Sequence, residues 1–250
     1  MIDLSNQIIL ITGASRGIGR ATAIMAAKAG AKVIVNYRSN ISEAEKVVGR
    51  IKQEGGEALA LRADVSVQSE VDAMIAKVIS TYRRIDVLVN NAGIWTYGAI
   101  DRMDAETWRE TMAANLDSIF YCCRAVVPHM KAQRRGRMIN VSSTAGQRGE
   151  AFHSHYAATK GAVISFTKSL APELASYNIL VNCVAPGWVE TDMSRGALVE
   201  ENEKITGVIP LRRAGTPEEI AGPILFLASE LANFITGEIL NVNGGSVLVG

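Results

Sequence analysis

The sequence predicts an α/β fold in which helices cover both faces of a parallel β-sheet. Short apolar segments of β type alternate with helix-like segments from the first residues to the last. The strand-like segments are apolar at nearly every position, as in strands that are buried on both faces. No repeat, low-complexity tract or Pro/Gly/Ser-rich linker divides the chain, so residues 1–250 are predicted to form one domain.

The order of the segments predicts seven strands in a doubly wound, Rossmann-type arrangement. The strands are QIILIT (7–12), KVIVN (32–36), EALALRA, IDVLVN (85–90), RMINVSS, NILVNCVA and EILNVN. The first predicted helix begins at the glycine-rich turn after the first strand. Further helices are predicted at about 42–54, in the stretch after Asp64, at 104–131, at 154–176 and in TPEEIAGPILFLAS. The polar segment 187–216 lies between a strand and a helix, and we expect it to be a mobile substrate lid.

Composition excludes several classes of protein. Of the 250 residues 48% are hydrophobic and 20% are charged, which is typical of a globular domain. The net charge of +1 gives no reason to expect nucleic acid or an anionic membrane as a partner. No apolar run reaches the ~18 residues that span a bilayer. The N-terminus MIDLSNQ lacks the basic start of a signal peptide, so we expect a cytoplasmic protein.

A glycine-rich loop, Thr12 to Gly19, directly follows the first strand and opens a helix. Its spacing is Gly-x-x-x-Gly-x-Gly, in which the glycines allow a tight turn and close approach of a pyrophosphate to the helix N-terminus. The same residues could form an ordinary strand-to-helix turn. Their place at the first βα junction favours dinucleotide binding.

Two arginines indicate which dinucleotide is bound. The second strand ends in Asn36, Tyr37 and Arg38, without the Asp or Glu that binds a ribose 2′-hydroxyl, and Arg16 lies in the glycine-rich loop. Two guanidinium groups near one phosphate favour NADPH over NADH, although NADH remains possible. The alternative is that both arginines are solvated surface residues.

Tyr156 and Lys160 are the candidate acid/base pair. They are four residues apart in a predicted helix, so they share a face, and Ser143 precedes them at the end of the fifth strand. An ammonium beside a phenol is expected to lower the pKa of Tyr156 towards neutrality. Tyr-x-x-x-Lys alone occurs by chance in many helices, and it becomes specific only together with Ser143 and the glycine-rich loop.

These residues, in this order, resemble the short-chain dehydrogenase/reductase family. The resemblance extends from the TGASRGIG loop through NNAG, Ser143, YAATK and APG to ITGEILNVNGG. Within the family the chain most resembles bacterial 3-oxoacyl-[acyl-carrier-protein] reductases. The VNYRS and HYAATKGA segments also resemble bacterial glucose dehydrogenases.

The resemblance implies a role for four catalytic residues. Tyr156 would donate a proton to the substrate carbonyl as hydride arrives from the nicotinamide, and Ser143 would hydrogen-bond the same oxygen. Lys160 would bind the nicotinamide ribose and lower the pKa of Tyr156. Asn115 would hold a water for proton relay to Lys160.

The resemblance also implies a cofactor site and a homotetramer assembled through 104–131, 154–176 and the C-terminal strand region. The implied cofactor-binding residues are Gly13, Ser15, Arg16, Ile18, Gly19, Arg38, Asp64, Val65, Asn91, Ala92, Gly93, Tyr156, Lys160, Pro186, Gly187, Val189 and Thr191.

The substrate pocket is expected to involve Trp95, Phe152, His153 and Trp188, which flank the motifs above. A metal site formed by Glu150, His153 and His155 is conceivable, but hydride transfer in this family needs no metal, so none is predicted. Of the two basic positions that receive an acyl-carrier protein in such reductases, Arg134 matches one, and the other is Tyr177 here.

The function predicted from the sequence is NADPH-dependent reduction of a ketone to a secondary alcohol. The substrate would be a 3-oxoacyl thioester or a related carbonyl compound, carried on acyl-carrier protein or CoA. An alternative is an NAD(P)-dependent sugar or secondary-alcohol dehydrogenase. A nucleotide-binding protein without catalytic activity is the alternative of another class, and the complete catalytic set argues against it.

Overall fold

The structure, a computed structural model, describes residues 2–249. Seven strands form one sheet in which every neighbouring pair is parallel. The strands are β1 (Ile8–Ile11), β2 (Lys32–Tyr37), β3 (Glu57–Arg62), β4 (Val87–Asn90), β5 (Gly136–Val141), β6 (Ile179–Pro186) and β7 (Ile239–Val242). The predicted seven-stranded parallel sheet is therefore confirmed.

Ten α-helices connect the described strands. They are α1 (Gly17–Lys28), α2 (Ile41–Gln53), α3 (Gln68–Tyr82), α4 (Ala105–Met112), α5 (Ser118–Gln133), α6 (Thr144–Arg148), α7 (Ser154–Ala175), α8 (Arg195–Glu200), α9 (Asn202–Gly207) and α10 (Pro217–Ala228). A π-helical turn (Ala113–Asp117) joins α4 to α5, and a 3-10 turn (Glu230–Ala232) follows α10.

The sheet has a hydrophobic core on each face because successive side chains of a strand point to opposite sides. In β1, Ile9 and Ile11 pack in the core shared with α1, α2 and α10. Ile8 and Leu10 pack in the core shared with α3, α5 and α7. Strands of this kind carry apolar residues at every position, which is why the sequence shows continuous apolar runs rather than alternation.

The strand order places a crevice at the carboxyl ends of β1 and β4. The order is β3-β2-β1-β4-β5-β6-β7, so the chain crosses from one edge of the sheet back to its middle between β3 and β4. The loops that follow β1 and β4 then leave the sheet in opposite directions, and ligands of doubly wound sheets bind in the gap between them.

The long helical segment predicted over 104–131 is confirmed as one uninterrupted helical stretch, in which the π-helical turn joins α4 to α5. Asn115, inside this turn, exchanges two hydrogen bonds with the backbone of Ile94 in the loop after β4. A π-turn inserts one residue into a helix and is frequent at functional sites. The short helix α6 lies in a region where the sequence predicted no helix.

The segment 187–216, predicted to be a lid, contains α8 and α9 and has a small core of its own. Its apolar side chains pack against Trp188, and its ends are joined by a hydrogen bond from the Gly215 amide to the Trp188 carbonyl (2.9 Å). The core residues are Leu198, Ile205, Ile209 and Ala214. That this segment moves as a lid stays a prediction.

Within residues 2–249, every helix is too short or too polar to cross a bilayer.

Candidate active site

A cavity of about 510 Å³ lies at the carboxyl ends of the strands and extends from Arg38 to Trp188. Most of the site residues that the sequence predicted line this one cavity. They are Gly13, Ser15, Arg16, Ile18, Arg38, Asp64, Val65, Asn91, Ala92, Gly93, Trp95, Ser143, Tyr156, Lys160, Pro186, Gly187, Trp188, Val189 and Thr191. The loops of six strands therefore converge on a single site.

Four predicted site residues do not line the cavity directly. Gly19 and Asn115 are buried beneath it, where they support residues that do line it. Phe152 is more than half exposed and stacks on Tyr97, with 5.5 Å between ring centroids. His153 lies behind Trp95, whose indole ring stacks on the imidazole at 4.4 Å.

The glycine-rich loop requires glycine at three positions. Gly13 and Gly17 have φ values of +62° and +54°, in the left-handed region that favours glycine. A Cβ on Gly19 would lie 2.5 Å from the Gly13 carbonyl oxygen and 2.6 Å from Nδ2 of Asn91. The backbone at the start of α1 is therefore open to close approach by a ligand.

Arg16 precedes α1 without a side-chain capping bond, so the first amides of the helix remain available to an anion.

Thr12 connects this loop to the NNAG segment after β4. Its hydroxyl accepts hydrogen bonds from the amides of Asn91 and Ala92, both at 3.0 Å. Asn91 in turn donates to the carbonyl oxygens of Thr12 (3.0 Å) and Gly13 (3.2 Å). These bonds fix both walls of the crevice, and Thr12 is a supporting residue that the sequence reasoning did not single out.

The end of the cavity at the carboxyl end of β2 holds two arginines. Arg16 and Arg38 both line it and both are exposed, and two carboxylates, Glu43 and Asp64, line it as well. Asn36 is buried and serves the loops, since it accepts a hydrogen bond from the Gly13 amide (3.2 Å) and donates to the Ala63 carbonyl (3.1 Å). The Asn36 side chain therefore connects the loops that follow β1 and β3.

The catalytic residues predicted from the sequence converge at the other end. Ser143 is the N-cap of α6, where its Oγ accepts a hydrogen bond from the Ala145 amide at 3.1 Å. Tyr156 and Lys160 lie in the first two turns of α7, and the Lys160 Nζ is 5.7 Å from the centre of the Tyr156 ring. The ammonium donates to the Val141 carbonyl oxygen at 2.8 Å, at the end of β5.

Asn115 connects the loop after β4 to α7, the helix that carries Tyr156 and Lys160. Its Oδ1 accepts from the Ile94 amide (2.7 Å), and its Nδ2 donates to the Ile94 carbonyl (2.9 Å) and to the Thr159 hydroxyl (3.3 Å). A Cβ on Gly93 would lie 2.9 Å from Asn115 Oδ1 and 3.7 Å from Lys160 Nζ, so glycine allows this close packing. Asn115 is fully buried and holds the ends of two elements beside Lys160.

Comparison with known proteins identifies the family. A family model described as "Enoyl-(Acyl carrier protein) reductase" matches residues 13–246, nearly the whole chain. The chain belongs to the short-chain dehydrogenase/reductase family. Similar proteins include a 3-oxoacyl-[acyl-carrier-protein] reductase of Synechocystis, 46% identical over 99% of this chain and 100% of the relative. Proteins of the same name from Staphylococcus epidermidis (43% identical; 96% of this chain, 98% of the relative) and Staphylococcus aureus (44%; 94% and 96%) are also similar.

This short-chain dehydrogenase/reductase is an NAD(P)-dependent oxidoreductase, and its residues fit a nicotinamide cofactor. The uncapped start of α1 and the glycine-rich loop suit the pyrophosphate. Asn91, Gly93 and Lys160 line the middle of the cavity, and Val189 and Thr191 line the side formed by the chain after β6. When bound, the reduced nicotinamide supplies hydride.

Burial is the largest influence on the pKa values of Tyr156 and Lys160. It raises the pKa of Tyr156 to about 12, although the Ser143 hydroxyl opposes this by hydrogen bonding to the phenolic oxygen. It lowers the pKa of Lys160 to about 8. A lowering of the Tyr156 pKa by Lys160 is therefore not found in this structure, in which desolvation of the phenol is the largest influence and the charge of Glu150 acts in the same direction.

The substrate end of this reductase has an aromatic wall and a carboxylate. Trp95 and Trp188 meet edge to face, with 5.7 Å between ring centroids. Glu150 also lines the cavity and accepts a hydrogen bond from the Trp95 indole N–H at 3.2 Å. The sequence reasoning considered Glu150 only as a metal ligand, since nothing local indicates that its loop folds over Tyr156.

A metal centre has no support in the described part of the chain. Within residues 2–249, no group of three or more His, Cys, Asp and Glu side chains is arranged to hold a metal ion. His155 is fully buried, and its Nε2 is 2.9 Å from the Thr96 hydroxyl. Its ring thus bonds to the loop after β4, whereas Glu150 and His153 contact Trp95.

Proposed function

We propose that this enzyme uses NADPH to reduce the 3-keto group of an acyl thioester to a secondary alcohol. The observation that carries the proposal is the placement of the Tyr156 phenol with Ser143 and Lys160 in the cavity that begins at the glycine-rich loop. Reduction of a carbonyl needs a proton donor beside its oxygen, and the phenol of Tyr156 supplies one there. The choice of a 3-oxoacyl thioester is supported by the names of the similar proteins.

The preference for NADPH is supported by the two guanidinium groups that line the cavity at the carboxyl end of β2. Arg16 and Arg38 can both contact a 2′-phosphate, and a guanidinium binds phosphate through two parallel hydrogen bonds. Neither Asn36, whose amide is engaged with Gly13 and Ala63, nor Tyr37 carries a carboxylate that would bind a 2′-hydroxyl.

Each catalytic residue has one task in the proposed reaction. Tyr156 donates its phenolic proton to the carbonyl oxygen, which Ser143 also hydrogen-bonds, so that charge on this oxygen is stabilised as the bond order falls. Lys160 keeps a positive charge near the phenol and is held by the Val141 carbonyl. Asn115 maintains the spacing between the loop after β4 and α7. By resemblance to the family, a water beside Asn115 returns a proton to Lys160.

The thioester would be carried on acyl-carrier protein or CoA. Where the similar reductases have a second basic residue, Tyr177 lies between two cations: Lys131 Nζ is 4.5 Å from the ring centre and the Arg134 guanidinium carbon is 5.8 Å away. The ring thus holds positive charge at this surface through cation–π contacts. These contacts support docking of an acidic carrier despite the substitution.

We also propose that the enzyme forms a homotetramer. On α5, Phe120 is 46% exposed, and Phe234, after α10, is fully exposed. Small residues on α7, including Ala157, Ala158, Gly161 and Ala162, permit close packing between helices. Sedimentation velocity would show a tetramer, and a monomer at micromolar concentration would contradict this part of the proposal.

The substrate class is tested by steady-state kinetics with matched substrates. We expect acetoacetyl-CoA to be reduced with NADPH, and with a higher kcat/KM than with NADH. Oxidation of glucose and of simple secondary alcohols is measured in parallel at the same pH. Measurable sugar oxidation without reduction of acetoacetyl-CoA would contradict the proposal and favour the sugar dehydrogenase alternative.

A further inference from the structure

Two loops close over the catalytic residues and fix each other. One is residues 94–98, after β4, and the other is residues 149–153, before α7. The Gly98 amide donates to the Phe152 carbonyl at 2.7 Å, and the rings of Trp95 and His153 stack at 4.4 Å with 6° between their planes. Glu150 lies between these contacts, which hold its side chain against Trp95.

One oxygen of the Glu150 carboxylate is engaged by these loops. Oε1 accepts from the Trp95 indole N–H (3.2 Å) and lies 3.6 Å from Nδ1 of His153. That His153 nitrogen is 3.1 Å from the Ala151 carbonyl, so the hydrogen on it has another acceptor. Trp95 is thus the main partner of Oε1.

The other oxygen, Oε2, has no hydrogen-bond donor among residues 2–249. Glu150 lines the cavity together with Ser143 and Tyr156, and its side chain is only 26% exposed. Burial raises the pKa of this carboxyl group, with Trp95 and the charges of His153 and Arg148 acting in the opposite direction. Oε2 is therefore open to the cavity, where it can accept a hydrogen bond from a donor group on a ligand.

We propose that Glu150 is a specificity-determining residue that accepts a hydrogen bond from a hydroxyl group adjacent to the reacting carbonyl, so that the enzyme also reduces α-hydroxy ketones to diols. This activity goes beyond the thioester reduction proposed above and uses the same Tyr156 and Ser143. It rests on the juxtaposition of a free carboxylate oxygen and the catalytic phenol in one cavity.

The surroundings of Glu150 favour a neutral donor. Arg148 also lines this part of the cavity, and its positive charge disfavours an ammonium group, while Glu150 itself disfavours a carboxylate. The perpendicular rings of Trp95 and Trp188 offer apolar surface to the carbon atoms of a small hydroxy ketone.

The reaction balances without a further reagent. The carbonyl carbon accepts hydride, and thus two electrons, from the reduced nicotinamide, while the carbonyl oxygen takes the phenolic proton of Tyr156. The substrate hydroxyl keeps its own proton, which it shares with Oε2 in a hydrogen bond. The products are a vicinal diol and the oxidised nicotinamide, and Tyr156 regains its proton from solvent.

The test compares hydroxyacetone with butanone, which carries a methyl group in place of the hydroxyl. We expect the wild type to favour hydroxyacetone in kcat/KM and Glu150→Gln to reduce that preference by about tenfold or more, as for loss of a charged hydrogen bond. Glutamine retains an oxygen for Trp95 but carries no charge. The matched control, Glu45→Gln, removes an exposed carboxylate of α2 and should leave the preference unchanged.

Binding of the diol product provides a second readout. We expect propylene glycol to inhibit the wild type more strongly than it inhibits Glu150→Gln, with no such difference for butan-2-ol. An unchanged hydroxyacetone preference in Glu150→Gln would overturn the inference. Equal losses for hydroxyacetone, butanone and acetoacetyl-CoA would also overturn it, because Glu150 would then only support the loops.

The acetoacetyl-CoA measurement keeps this inference separate from the proposed function. An enzyme that prefers hydroxyacetone through Glu150 but does not reduce acetoacetyl-CoA would refute thioester reduction and support the role of Glu150. The reverse pattern, in which acetoacetyl-CoA is reduced and hydroxyacetone is not preferred, would refute the role of Glu150 alone.

Discussion

Replacing Gly146 by alanine should move Ser143 away from Tyr156 and Lys160, because the added methyl group would push α6 away from α7. Gly146 lies in the middle of α6, directly against α7. A Cβ at this position would be 2.4 Å from the carbonyl carbon of Lys160, 2.6 Å from its oxygen and 2.7 Å from the amide nitrogen of Gly161. These are backbone atoms, so no side-chain rotation relieves the overlap. The Ser142 hydroxyl, which donates to the same Lys160 carbonyl at 2.7 Å, adds to the constraint.

The size of the effect follows from this overlap. Ordinary contacts of a Cβ begin at 3.4 Å, so in Gly146→Ala the two helices must move apart by about 1 Å. Ser143 is carried by α6, and Tyr156 and Lys160 by α7. A displacement of about 1 Å between catalytic groups costs about 100-fold in rate. Overpacking of this kind also lowers the free energy of unfolding by about 1–3 kcal/mol.

The assay is kcat/KM for acetoacetyl-CoA with NADPH, measured well below the Tm of the variant, with circular dichroism to confirm the fold. Two matched glycine variants serve as controls. Gly161→Ala has its nearest contact at 3.3 Å and should have a smaller effect, and Gly196→Ala, with nothing within 4 Å, should have none on kcat/KM. A Gly146→Ala variant with wild-type kcat/KM and Tm would refute the argument that helix contact sets the catalytic geometry.

Two further variants test the charges. Arg38→Asp should lower the ratio of kcat/KM for NADPH to that for NADH by about 30-fold, since it removes a charged hydrogen bond to the 2′-phosphate and introduces a carboxylate that repels this phosphate and can bind a 2′-hydroxyl. An unchanged ratio, or an equal change in Arg50→Asp, would show that Arg38 does not bind the phosphate. Lys160→Met should be more stable than the wild type at pH 7, because burial lowers the pKa of Lys160 from 10.5 to about 8. Between these values the unfolded chain binds more protons, so wild-type stability relative to the variant should rise from pH 8 to 10.5, by about 3 kcal/mol in total, in chemical denaturation. A stability difference that does not vary with pH over this range would contradict the assigned pKa.

Much of the fold could be predicted because its determinants are local. The continuous apolar runs of β1 and β4 indicate strands buried on both faces, and the glycines after β1 mark the tight turn into α1. The pair Tyr156 and Lys160 could be placed on one helix face because helical periodicity fixes their relative direction.

The remaining features depend on contacts between distant segments. The π-helical turn places Asn115 against Ile94, 21 residues earlier, and no local propensity reveals this partner. Glu150 reaches the substrate end of the cavity because the loop before α7 packs on Trp95, 55 residues earlier in the chain. The raised pKa of Tyr156 reflects burial by several elements together, which the i,i+4 spacing with Lys160 does not report.

The most direct test of the account is the kcat/KM of Tyr156→Phe for acetoacetyl-CoA at pH 7, together with its affinity for NADPH. The substitution removes one hydroxyl from a buried ring and leaves the lining of the cavity otherwise intact. The account predicts a fall in kcat/KM of about 100-fold to 10,000-fold, as for loss of a general acid, with NADPH binding nearly unchanged. Turnover equal to that of the wild type would contradict the assignment of Tyr156 as the proton donor.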